Sequence, residues 1–198
     1  SYPKLGCKGQ GYEVSTEIGV MFEDDDFCAG RESTFIFLEN VLEEVMELFP
    51  GKYIHIGGDE CPKTMWKTCP YCQARIRNEN LKDENELQAY FIQRIEKYVN
   101  KKGRRIIGWD EILEGELTPD ATIMSWRGDK GAVGAIRKHH NVIMAPTTPL
   151  YFIVDQGSSN TDSITMSFIK GYNTLDSVYC YEPIPSGLSK AEEKYIIG

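Results

Sequence analysis

Residues Lys52-Tyr53-Ile54-His55-Ile56-Gly57-Gly58-Asp59-Glu60 run from a strand-like start through a paired glycine into two adjacent carboxylates. A strand turns successive side chains to opposite faces, so neighbouring Asp and Glu would ordinarily point apart. Two glycines just ahead of them give the backbone freedom to bend, which lets both acids face one cavity. Acids gathered at the carboxyl end of a buried strand are the usual material of a barrel active site. A solvated acidic turn is the commoner fate of an Asp-Glu pair. Here a strand runs straight into the pair with no proline or serine ahead of it, which favours a site.

Outward from this stretch the chain alternates strands with helices. Residues 53–56, 105–109, 122–126 and 142–145 read as buried strands, and 178–181 as a weaker extended segment. Ser33 is placed to cap a helix whose apolar residues Phe35, Leu38, Leu42, Val45 and Phe49 recur at helical spacing until Pro50-Gly51. A second helix runs through Leu87, Phe91, Ile95 and Tyr98 and closes at Gly103. A shorter one spans about residues 131–139, and Ser189-Lys190-Ala191-Glu192 has the capping-box pattern of a final helix. Residues 1–32 form a long connection with a short strand expected at 18–22. Strand and helix in short alternation predict parallel α/β architecture.

The 198 residues, 41% hydrophobic, are enough for one domain with a good core. A net charge of −8 and a pI near 5.0 argue against a nucleic-acid partner, which needs clustered Lys and Arg. No apolar run approaches the length of a membrane span, and the start at Ser1-Tyr2-Pro3-Lys4 is not a signal peptide. A (β/α)8 barrel takes eight strand–helix units and about 250 residues. Four convincing units are half of that, so the expected fold is a partial (β/α)8 TIM barrel, with residues 1–198 a fragment of one catalytic domain.

His55-Ile-Gly-Gly-Asp-Glu60, the upstream stretch from Phe27 to Pro50, and the later Gly108-Trp-Asp-Glu-Ile-Leu113, Ser125-Trp-Arg-Gly128 and Thr148-Pro-Leu-Tyr-Phe152 resemble family 20 glycoside hydrolases, the β-N-acetylhexosaminidases, in order and spacing. The resemblance covers nearly the whole chain. It implies roughly strands 4 to 7 of the barrel. It also implies a retaining exo-hydrolase that removes terminal N-acetylglucosamine or N-acetylgalactosamine from glycoconjugates, without a cofactor, in an exported protein. The stretches that carry the family's sugar-binding arginine, third-strand histidine and eighth-strand tryptophan–glutamate pair lie outside this sequence, so these 198 residues alone are expected to be inactive.

Cleaving a glycoside needs a proton delivered to the leaving oxygen, and Glu60 is the candidate general acid/base. An ordinary retaining enzyme sets its nucleophilic carboxylate about 5 Å from the acid, across the scissile bond. Residues adjacent in sequence cannot straddle a sugar that way. By resemblance, Asp59 instead orients the substrate's acetamido group, whose own oxygen attacks the anomeric carbon. Trp109 and Trp126 end two strands and suit the walls of an acetamido pocket; a lone tryptophan would more often be core. Tyr151 matches the family tyrosine that donates to the acetamido oxygen. Where the family has a hydroxyl-binding aspartate two residues later, this chain has Ile153, and Asp155 is the nearest substitute.

His55 reads as a structural histidine, Asp110 and Glu111 as supporting strand-end acids, and His139-His140 as a helix end. Cys69-Pro-Tyr-Cys72 is a lone CxxC with no second pair at zinc-finger spacing, so no metal ligand is assigned. The cysteines are left between free thiols and a disulfide of Cys61 with Cys69 or Cys72, which the resemblance to an exported family makes admissible. Two other readings stand beside the hydrolase. One is a non-catalytic carbohydrate-binding barrel, disfavoured by the intact acid pair; the other is a metal-dependent hydrolase using His55, Asp59 and the cysteines. The sequence carries no signal of oligomeric state.

Overall fold

The structure, a computed structural model, describes residues 2–11, 26–152 and 173–198. The expected strand at 18–22 lies outside these residues, as do Ile153 and Asp155. The chain divides into two compact units, Ser1–Thr118 and Pro119–Gly198.

In the first unit, β1 (Tyr53–His55) pairs in parallel with β2 (Arg105–Trp109), Ile54 opposite Ile106. Both of these isoleucines are buried. Parallel neighbours need a crossover, and this one carries α2 (Pro70–Asn78) and α3 (Glu84–Lys101). α3 begins where the Asp83 carboxylate accepts from the Asn85 and Glu86 N–H groups at 2.8 and 3.0 Å. It ends at Gly103, φ +74°, where Gly103 N–H donates to Asn100 O and Arg104 N–H to Val99 O, the paired bonds of a Schellman stop. Leu87, Ile92, Ile95 and Val99 are its buried stripe.

α1 (Glu32–Leu48) starts one residue before the expected cap: Arg31 is the N-cap, and Ser33 lies inside the first turn. Glu32 takes the lead because its carboxylate is bound by Arg94 and Arg75 from the two crossover helices. First the Arg94 hydrogen bond and then that of Arg75 hold its pKa below the usual carboxylate value. The same two guanidiniums lie over Phe35, which is fully buried and packs on Phe91 with ring centroids 4.9 Å apart.

In the second unit β3 (Thr122–Ser125) and β4 (Asn141–Met144) pair in parallel across α4 (Asp129–Arg137). α4 closes at His139, φ +65°, whose Nδ1 meets the Tyr195 hydroxyl at 3.0 Å. His140 is buried, with Nδ1 3.1 Å from Ala121 O, so it anchors the start of β3 rather than merely ending a helix. A short turn, α5 (Thr147–Leu150), follows β4.

The segment expected as extended at 178–181 is instead the end of α6 (Leu175–Tyr179) and the turn after it. Val178 and Tyr181 suggested a strand, but the Thr174 hydroxyl accepts from Ser177 N–H at 2.9 Å and starts a helix. The next parallel partner of β4 comes later: Ile196 bridges Val142, Ile197 N–H donates to Val142 O, and Met144 N–H donates to Gly198 O. The capping box forms as read, Ser189 N–H to Glu192 Oε2 at 2.8 Å and Glu192 N–H back to Ser189 Oγ at 3.4 Å. It leads only to a 3-10 turn, Glu193–Tyr195.

Removing the Asp83 cap should weaken the fold measurably. Asp83→Ala is expected to lower unfolding free energy by about 1 kcal/mol at neutral pH. The hydrogen bonds from Glu86 and Asn85 depress the Asp83 pKa. Its contribution is therefore complete above the unfolded value of about 3.9 and fades as pH falls through the lower folded value. Urea titrations of both proteins at pH 7 and at a pH below the depressed folded value should show the gap close in acid; an equal gap at both would rule the carboxylate out as its source.

Candidate active site

The backbone that carries the acids departs from β1 without leaving the ladder. Ile56 N–H still donates to Ile107 O, and Trp109 N–H donates to Gly57 O, both at 2.9 Å. Between and beyond these bonds the chain turns through Gly57 at φ +73°, Gly58 at +94° and Glu60 at +49°. Gly58 also has no room for a side chain, because a Cβ would sit 2.5 Å from Ile112 Cγ2. The left-handed region is costly for residues with a Cβ, and Glu60 adopts it. The outcome is that Asp59 and Glu60 both stand exposed at the carboxyl end of β1.

Around them the unit gathers His55 and Trp109. The two rings meet edge to face with centroids 5.0 Å apart. His55 Nδ1 accepts from Gly57 N–H at 3.1 Å, so when neutral it carries its proton on Nε2. Desolvation by the surrounding protein lowers its pKa, and the charge of Asp59 partly offsets this. The expected structural role of His55 thus has a concrete form: it fixes the first glycine of the turn. Two supports escaped the sequence reading. Gln88, buried on α3, donates through Nε2 to Gly58 O at 3.0 Å. Ile112 fills the space beside Gly58 and Gly108. A glutamine inside the apolar stripe of α3, next to Leu87, was the available signal for the first.

Trp109 is the last residue of β2 and half-buried, and Asp110 behind it is 1% exposed and opens a 3-10 turn, Asp110–Glu114. In the second unit Trp126 directly follows β3, and its carbonyl accepts from both the backbone N–H and the hydroxyl of Thr147. Tyr151 is not a strand-end residue. It caps α5, six residues past Ala145, and Asn173 Nδ2 donates to its carbonyl at 2.6 Å. The proline of Thr148-Pro149 directs that stretch into a turn instead of a longer strand. The first unit therefore presents His55, Asp59, Glu60 and Trp109 at the carboxyl ends of its strands, and the second presents Trp126 at the end of β3 and Tyr151 at the end of the turn that follows β4.

The cysteines depart from expectation. The disulfide admitted between Cys61 and Cys69 or Cys72 is not formed; all six cysteines are free. Burial, with Asp26 beside it, pushes the Cys61 thiol up to about 12. Cys69 and Cys72 instead face Cys7 and Cys28, and among the described residues these four are the one set of metal-ligating groups close enough to share an ion. His55 and Asp59 stand outside that set, so the metal-hydrolase grouping is not assembled.

The sequence profile described as glycosyl hydrolase family 20, catalytic domain, matches residues 1–198. A beta-hexosaminidase of Porphyromonas gingivalis is 47% identical over 100% of this chain and 25% of its own length. One from Vibrio furnissii is 33% identical over 82% of this chain and 26% of its own. The chain thus spans about a quarter of the curated relatives it matches. Among solved structures, a Flavobacterium johnsoniae chitobiase superposes with a TM-score of 0.80 at 29% identity, covering 100% of this chain and 28% of that one. With its parallel strand–helix units and the acids at a strand's carboxyl end, the chain is part of a (β/α)8 barrel and belongs to the catalytic domain of glycosyl hydrolase family 20.

Proposed function

We propose that residues 1–198 form the central part of a single (β/α)8 catalytic domain whose complete protein is a retaining exo-β-N-acetylhexosaminidase working by substrate assistance. The observation that carries this reading is the turn at Gly57, Gly58 and Glu60, which delivers two adjacent acids to the same end of one strand. Adjacent carboxylates cannot take opposite faces of a sugar, so a neighbouring-group nucleophile suits them better than an enzyme nucleophile. In this mechanism Asp59 accepts from the acetamido N–H and steadies its developing positive charge while the acetamido oxygen attacks the anomeric carbon. Glu60 protonates the leaving oxygen, then takes the proton of the water that opens the cyclic intermediate. Trp109 and Trp126 wall the acetamido methyl, Tyr151 donates to its oxygen, and Asp155 meets an outer hydroxyl.

The domain reading draws support from an apolar face in the first unit. A cavity of about 170 Å³ lies among Leu38, Val41, Leu42, Ile56, Phe91 and Ile95. Ile36, Leu48 and Phe49 of α1 and its end are more than half exposed. A preceding strand–helix unit would cover such a surface. Among the described residues no helix is long and apolar enough to cross a membrane, and the proposed setting of the enzyme is outside the cytoplasm, where terminal sugars of glycoconjugates are met. A non-catalytic sugar-binding barrel would have no need of the strained Glu60 backbone.

In the complete enzyme, Glu60→Gln should cut hydrolysis of substrates with poor leaving groups by about a hundredfold to ten-thousandfold. Aryl glycosides with good leaving groups should lose less in their first step. Pre-steady-state rates on both classes test the assignment, and an equal loss would remove Glu60 as the acid.

A thiazoline mimic of the cyclised intermediate should bind far more tightly than substrate, because it shares the geometry of the transition state. Asp59→Asn should weaken that binding together with turnover. Isolation of a sugar covalently attached to Asp59 would instead demonstrate an enzyme nucleophile.

The isolated 198 residues should release no appreciable chromophore from an aryl N-acetylglucosaminide, measured at matched concentration with Glu60→Gln as the blank. Robust turnover by a monodisperse fragment would overturn the half-barrel reading.

A further inference from the structure

Four cysteine sulfurs from three separate stretches converge beside the loop that follows the acids. Cys7 and Cys28 come from the N-terminal segment, Cys69 is the N-cap of α2, and Cys72 lies in its first turn. Cys28 and Cys69 approach to 3.6 Å, Cys28 and Cys72 to 3.7 Å, and Cys7 and Cys72 to 3.7 Å. All four sulfurs lie within 4.8 Å of one another. A disulfide bond is about 2.0 Å long, and no pair here is singled out for one: Cys28 is equally near two partners. Four thiolates about a zinc ion at about 2.3 Å would stand about 3.8 Å apart along each tetrahedral edge. An iron–sulfide cube would spread its cysteines wider. The observed spacing is that of a single shared ion.

The surroundings are built for such a centre. Cys28, Cys69 and Cys72 are buried with Ala29, Trp66, Ile76 and Leu87, and Cys7 packs half-buried against them. The peptide strands approach too closely for any side chain at residue 30, since a Cβ on Gly30 would lie 2.1 Å from the Tyr71 carbonyl carbon and 2.4 Å from Cys72 N. The N-terminal end of α2 favours negative charge at Cys69 and Cys72. Arg31 lies over the ring of Tyr71, the residue before Cys72, 3.8 Å from its centroid, and so packs the N-terminal segment against the start of α2.

We propose that Cys7, Cys28, Cys69 and Cys72 bind one structural zinc ion that ties the N-terminal segment to the loop after Glu60. Binding exchanges four thiol protons for one Zn2+ and changes no oxidation state. All four positions are occupied by protein, so the ion has no open site for water and takes no part in the glycoside chemistry. Its mechanical role is local. Lys63 N–H already donates to Asp26 Oδ2 at 3.2 Å, and Trp66 Nε1–H to Phe27 O at 3.0 Å, so the zinc would complete a clamp on residues 61–69.

The test uses the complete protein, purified without chelator or added metal. Elemental analysis should give about one zinc per chain, and X-ray absorption should show four sulfur neighbours at about 2.3 Å. Cys69→Ser with Cys72→Ser should lose the metal, while Cys61→Ser should keep it. If the double variant does not fold, the wild type decides: cobalt offered to metal-stripped protein should give the visible bands of tetrahedral thiolate coordination. An intact mass short by four hydrogens with no metal bound would mean disulfides and overturn the proposal. Four titratable thiols that take up neither zinc nor cobalt, or iron in place of zinc, would overturn it as well.

Discussion

The parallel ladder between β1 and β2 does not stop where the strands stop. The bond from Trp109 N–H to Gly57 O carries it into the turn, and the site depends on that one extension. It holds the first glycine while the backbone enters the left-handed region, and it brings Trp109 level with the acids. Gln88 then holds the Gly58 carbonyl from a helix, and His55 the Gly57 N–H from the strand itself. The conformational cost of a non-glycine residue at φ +49° is of order 1–3 kcal/mol. Several hydrogen bonds to rigid elements can offset it, where a free loop could not. Glu60 is strained because its neighbours are not.

The sequence was most legible where period and punctuation agreed. α3 shows this best: apolar residues at helical spacing and Gly103 to end it, with the Asp83 cap added by the structure. The four strands were found within one or two residues because each is a short apolar run between turn signals. Errors came where a local capping interaction outweighed side-chain preference. Val178 and Tyr181 favour strands, yet Thr174 starts a helix through them. Ser33 is a good cap in isolation, but a tertiary ion pair drew the helix start to Glu32. The Thr174 cap is local and could have been read from the sequence, whereas the Glu32 ion pair is not visible without knowing what lies across the fold.

For the candidate site, the residue types and their order were readable, and the reason for the paired glycines was half readable. Flexibility was the expected role of both. At Gly58 the structure adds a steric one, since Ile112 occupies the volume a side chain would need. The cysteines were the least legible group. Ligand spacing in sequence works when one hairpin supplies two ligands and a helix the rest. Here the CxxC is completed by two residues far upstream, brought near by the bridge between Gly6 and Phe27. Only tertiary structure makes four separate cysteines into one set.

That same bridge has an evolutionary reading. Cys28 N–H donates to Leu5 O at 2.7 Å, so residues 5 and 28, far apart in sequence, are held side by side. An insertion between such closely held ends costs only about 0.6 kcal/mol for each doubling of its length. Among the described residues, the bonds that hold Gly57 and Gly58 come from His55, Gln88 and Trp109, all outside the segment between residues 5 and 28. The fold therefore offers a place where sequence can be gained or lost among relatives while the turn at Gly57 and Gly58 keeps its geometry.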